Sequence, residues 1–134
     1  MKTLYFFLAL TFISFISCDN EPIPDSFSFG LENDFKINGE YHSADNSVHF
    51  KITEINDSRC PSDVVCVWEG KADVKIKVES PVSGSITLST YDNPIDTVGN
   101  FSFEIIDVFP YPISTKTIQL EDYNVTLKIV ELTD

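Results

Sequence analysis

Residues 71–79 read KADVKIKVE, and their alternation decides the fold. Ala72, Val74, Ile76 and Val78 fall on one side of an extended chain, and Lys71, Asp73, Lys75, Lys77 and Glu79 on the other. Successive side chains of a strand point to opposite faces, so this pattern predicts a half-buried strand with its apolar side toward a core. The lysines share their face with Glu69, Asp73 and Glu79, which makes that face a balanced, solvated one rather than a basic patch.

The same period of two recurs on both sides of the stretch. Val48-Phe50-Ile52, Ile86-Leu88-Thr90, Phe101-Phe103-Ile105, Ile118-Leu120 and Tyr123-Val125-Leu127-Ile129 all carry it. Between them lie Asn38-Gly39, Ser83-Gly84, Asn93-Pro94, Gly99-Asn100 and Pro110-Tyr111-Pro112, which are turn formers. No window after residue 18 sustains a 3.6-residue apolar period, so helix is expected for a turn or two at most. Residues 27–134 are thus expected to form one all-β domain, a single antiparallel β-sandwich of about 7–8 strands, Ig-like or a related Greek key. Its phenylalanines can furnish the core.

Immediately upstream, residues 56–74 read NDSRCPSDVVCVWEGKADV. Carried back from Ala72, the strand parity puts Gly70, Trp68 and Cys66 on the core face. Trp68 and Gly70 are therefore expected as the structural core of this motif, with Trp68 packed inside. A redox pair would favour a Cys-x-x-Cys spacing at a helix start, and here five residues intervene with no helix after them. A zinc site would need two further ligands, and the only histidines, His42 and His49, lie well upstream. The expectation is a Cys60–Cys66 disulfide that closes the loop, with redox and metal roles as its alternatives.

The first 18 residues, MKTLYFFLALTFISFISC, place Lys2 before an apolar run from Leu4 to Ile16. This is the pattern of a signal peptide, and the run is shorter than the roughly 17–25 residues of a spanning helix. Phe15-Ile16-Ser17-Cys18 resembles the bacterial lipobox, which implies a signal peptide over 1–17 and a lipid attached to Cys18. Cysteine arithmetic agrees, because three cysteines leave one over when two pair. An oxidising compartment suits both assignments. Residues 18–26 then read as the lipidated cysteine and an acidic, Pro-containing tether.

The chain carries 9 Lys plus Arg against 21 Asp plus Glu, for a net charge of −12. Such acidity excludes nucleic acid as a partner, since that binding rests on cation clusters. His42, Asp45 and His49 lie in HSADNSVH and could in principle converge on a metal across a hairpin, but a polar turn at His42 and Asp45 with His49 facing solvent is the expected reading. Glu121-Asp122 are adjacent, and adjacent side chains of a strand diverge. No Gly-x-Ser-x-Gly elbow is present. No catalytic residue, metal ligand or cofactor is assigned.

Asp57-Ser58-Arg59-Cys60-Pro61, Cys66-Val67-Trp68 and Gly70, set between two strands, resemble a motif of small uncharacterised Bacteroidetes-type lipoproteins. The resemblance implies an exported, lipid-anchored β domain and no particular activity. The expected function is a lipid-anchored envelope lipoprotein of the outer membrane that serves as a binding or interaction module. Its partners would be the membrane, through the N-terminal lipid, and a protein or carbohydrate ligand. An envelope enzyme, an enzyme inhibitor and a metal carrier are the alternatives. The domain is expected on either the periplasmic or the surface-exposed face, and Asp19 and Glu21, just after Cys18, resemble the acidic export signal of surface lipoproteins.

Overall fold

The alternation becomes nine strands in the computed structural model, which describes residues 25–133. They are β1 (Ser26–Phe27), β2 (Glu32–Lys36), β3 (Glu40–Ser43), β4 (His49–Asp57), β5 (Ala72–Ser80), β6 (Gly84–Ser89), β7 (Ile95–Val98), β8 (Phe101–Phe109) and β9 (Asn124–Glu131). The leader, Cys18 and most of the tether lie outside the described residues. In β5 the quoted stretch behaves as its pattern dictates: Ala72, Val74, Ile76 and Val78 are buried, and Lys75, Lys77 and Glu79 are exposed.

Two sheets result. One has the order β1-β3-β4-β5-β6 and the other β2-β9-β8-β7. β3 to β6 form a meander, whereas β2 returns to lie beside β9 at the far side of the β7-β8-β9 meander, a Greek-key-like relation. All pairings between strands are antiparallel except that of β1 with β3. Nine strands exceed the seven or eight expected because β2, with the sequence ENDFK, has one buried residue and is defined by its partner β9 rather than by its own alternation. Ile118-Leu120 forms no strand; Ile118 packs against the core edge and Leu120 opens a 3-10 turn, Leu120–Asp122.

The inner faces bury one continuous core. An aromatic cluster of Phe27, Phe35, Tyr41, Phe50 and Phe103 fills one part of it, with edge-to-face contacts such as Phe35–Phe50 at 5.0 Å. Aliphatic side chains including Ile52, Val74, Leu88, Val108 and Leu127 fill the remainder.

Two β-bulges decide what happens at one end. In β4 the register with β5 shifts between Ile52 and Glu54, so Phe50 and Ile52 are buried at even positions and Ile55 at an odd one. In β8 the register with β9 shifts between Ile105 and Asp107, so Ile105 and then Val108 face inward while Ile106 is turned out. A bulge inserts one residue and thereby exchanges the two faces beyond it. The consequence is that Asp57, at the end of β4, is aimed into the protein instead of into water.

Candidate functional site

Asp57 would be costly to bury alone, since a buried charge needs a partner and hydrogen bonds. Arg59 supplies both. Its Nε donates to Asp57 Oδ1 at 2.8 Å and its Nη2 to Oδ2 at 2.7 Å, a bidentate fork. Nη1 donates to the Val108 carbonyl at 2.6 Å and Nη2 also to that of Pro110 at 3.1 Å. Tyr111 covers the guanidinium at 4.4 Å, and the Tyr123 hydroxyl donates to Asp57 Oδ2 at 3.1 Å. The two charged side chains are only 4–5% exposed.

Electrostatics follow from this packing. Burial pushes the Asp57 carboxyl up, but the hydrogen bonds and charge of Arg59, with the Tyr123 hydroxyl, outweigh it and hold the group below its usual range. Burial lowers the Arg59 value, and the Asp57 carboxylate more than reverses that. Burial, then the Asp57 charge, push the Tyr123 phenol up to about 12. These three groups satisfy one another and join β4 to β8 and β9 across the sandwich. They form a lock, not a reactive centre.

Beyond the lock the chain runs on as a hairpin extension of β4 and β5. Ser58 N donates to Lys71 O and Cys60 N to Glu69 O, both at 2.8 Å. Gly70 sits in this ladder at φ 72°, and a Cβ there would collide with the Ser58 carbonyl and lie 2.9 Å from the Arg59 Cα. Gly70 is thus required by close backbone approach, not by a place in the core. The Cys60–Cys66 disulfide closes the tip with its Cα atoms 5.9 Å apart. The tip is also tied to the β8–β9 connection: Ser62 N donates to Pro112 O at 3.0 Å, and Ser114 donates to Asp63 through its backbone N and its hydroxyl.

Trp68 corrects the sequence reading. It is 83% exposed, and Cys66 is exposed as well. Strand parity fails there because β5 begins only at Ala72 and the preceding residues turn with the disulfide loop. Val65 and Val67 stand out fully beside Trp68, and Tyr91, from the β6–β7 loop, is 71% exposed. Trp68, Glu69, Gly70, Tyr91, Ser58 and Lys71 line a cleft of about 460 Å³. A second cleft of about 290 Å³, lined by Arg59, Thr90, Ile106, Asp107 and Tyr111, shares Glu69, Gly70 and Tyr91 with it. Glu69, Gly70 and Tyr91 are thus the border between the two clefts at this end of the sandwich.

The structure brings together Cys60, Cys66, Trp68 and Gly70 at this end with Asp57 and Arg59, which the motif contained without a role, and adds Tyr91, Tyr111 and Tyr123. One signal was available: Ile52 and Ile55, three apart, break the alternation and announce the bulge that turns Asp57 inward. At the opposite end His42 and His49 pair across β3 and β4 with rings 5.9 Å apart. Asp45 accepts instead from Ser43 and Ser47, so the three do not converge. Among the described residues, no group of three or more His, Cys, Asp or Glu is placed to hold a metal ion. No helix among them is long and apolar enough to cross a membrane. Comparisons with protein-family models, with curated proteins and with solved structures give no match to this chain.

Proposed function

We propose that the protein is a lipid-anchored outer-membrane lipoprotein whose domain is a binding module, with the disulfide-tipped end as its contact face. One contrast carries the reading. The loop is braced by a disulfide, a buried ion pair and ties to the β8–β9 connection, yet the side chains it displays, Val65, Val67 and Trp68, stand in water. A loop that served stability alone would bury its tryptophan. Clustered exposed apolar side chains on a rigid scaffold are instead the mark of a preorganised contact surface. The buried titratable groups nearby are spent on one another, which favours binding over catalysis.

The position of the tether suits this role. Asp25 O accepts from His42 N at 2.9 Å, so the described chain starts near the His49 end of β4, while the contact face lies beyond Asp57 at the other end. Nine residues of strand separate those levels by about 25–30 Å. A lipid on Cys18 would hold one end near the membrane and leave the other free to engage a ligand.

Two measurements on cells test the proposal. Cys18→Ala is expected to leave the protein unprocessed or soluble, and an unmodified Cys18 in the mature, membrane-extracted protein, read by mass spectrometry, would contradict the lipid anchor. A photo-crosslinking residue at Val67 is expected to give a specific adduct that one at Lys75, on the polar sheet face, does not. Equal labelling at both positions, or none at Val67, would contradict the contact face.

A further inference from the structure

We infer that the clefts at the disulfide-tipped end take a neutral saccharide chain; the inference rests on that end being the contact face. Trp68 and Tyr91, from two different loops, line the larger cleft, and Tyr91 with Tyr111 lines the smaller one that borders it. A pyranose ring has a flat C–H face that lies on an aromatic face and a rim of hydroxyls that need acceptors. The clefts offer both, since among the described residues the Glu69 carboxylate has no side-chain partner and Asp107 bonds only the adjacent backbone N–H.

Charge narrows the ligand further. Lys71 is held between Asp73 and Asp92 at 3.4 and 3.0 Å, and Arg59 is consumed by Asp57 and two carbonyls. Among the described residues, the two cations that line these clefts, Lys71 and Arg59, are thus already engaged by carboxylates, which disfavours a phosphate, a sulfate or a uronate. Asp63, Glu69 and Asp92 around the Trp68 loop would repel anionic lipid. Besides these acceptors, the Trp68 indole N–H and the Tyr91 and Tyr111 hydroxyls have no partner among the described residues, so a saccharide's hydroxyls would meet donors as well as acceptors. A small organic cation would suit aromatic rings closed into a box. Trp68 and Tyr91 are instead open to water, which leaves their faces accessible to the units of a chain.

Trp68 is the sole tryptophan and reports on the site directly. The purified protein is titrated with cellohexaose, maltoheptaose, xylohexaose and mannohexaose, and in parallel with oligogalacturonate, choline and a proline-rich peptide. At least one neutral oligosaccharide is expected to give a saturable blue shift and to shield Trp68 from acrylamide. The affinity should be unchanged by added salt at about 0.5 M, where ion pairs are screened. Calorimetry should show Trp68→Ala and Tyr91→Ala each weakening that binding roughly 3- to 10-fold, with the melting temperature unmoved. The inference is overturned if no neutral oligosaccharide binds, if only oligogalacturonate, choline or the peptide does, or if Trp68→Ala binds equally well. Loss of saccharide binding with a persistent Val67 adduct would overturn the saccharide alone, whereas loss of both would overturn the contact face too.

Discussion

Arg59→Met removes the guanidinium and keeps much of its bulk, which isolates the electrostatic part of the lock. Four hydrogen bonds go with it, two to Asp57 and one each to the carbonyls of Val108 and Pro110. Asp57 is then a buried carboxylate with Tyr123 and the Arg59 backbone N–H as its remaining donors. Breaking a buried pair from one side costs about 3–5 kcal/mol, a large fraction of the roughly 5–15 kcal/mol that stabilises a domain. Asp57→Leu combined with Arg59→Met should cost less than Arg59→Met alone, because no unpaired charge remains and only the two carbonyls lose a partner. Urea unfolding of the three proteins at pH 7 measures both differences. The pH dependence has a definite sign. The folded Asp57 value is depressed, so its stabilisation is present above the ordinary carboxylate value near 3.9 and is lost as pH falls through the folded value. Without Arg59 the burial effect prevails and raises that value, so the gap between Arg59→Met and the unaltered protein should narrow in acid. A cost under about 1 kcal/mol for Arg59→Met, or a gap that widens in acid, would refute the lock.

Gly70→Ala should destabilise by at least about 1–3 kcal/mol, from the positive φ alone, with the collision against Ser58 adding to it; thermal melting measures the loss, and a neutral result would contradict the close approach. Replacing Cys60 and Cys66 together by Ala should cost about 2–2.5 kcal/mol on the chain-entropy estimate for so short a loop, and should open the 61–65 segment to proteolysis before the rest of the domain. Tyr123→Phe deletes one hydrogen bond to a charged acceptor and should cost about 1.5–3 kcal/mol by urea unfolding.

Most of the sandwich was legible because its strands are long enough to alternate. β5, β8 and β9 announce themselves through Val74, Phe103 and Leu127 and their neighbours at every second position. β1, β2 and β7 do not, since two to five residues with one buried side chain each carry no period, and their place is set by the partner strand. At the candidate site the disulfide was legible from cysteine spacing and count. Trp68 was misread because parity was carried through Gly70 into a loop that no longer obeys it. Asp57 and Arg59 stood in the motif but were given no buried role, because exposed charges are the usual outcome for such residues and the bulge at Ile52 to Glu54 turns Asp57 inward. The break in alternation between Ile52 and Ile55 was its trace in the sequence, and the register with β5 was needed to read that break as a bulge.

Acrylamide quenching of the native protein's tryptophan fluorescence tests the account most directly. If the motif from Asp57 to Gly70 braces a loop that displays its aromatic side chain, Trp68 in the folded protein should emit as a hydrated indole and be quenched almost as readily as in urea. A blue-shifted emission that resists quenching in the absence of ligand would place Trp68 inside the sandwich and contradict both the contact face and the saccharide site built on it.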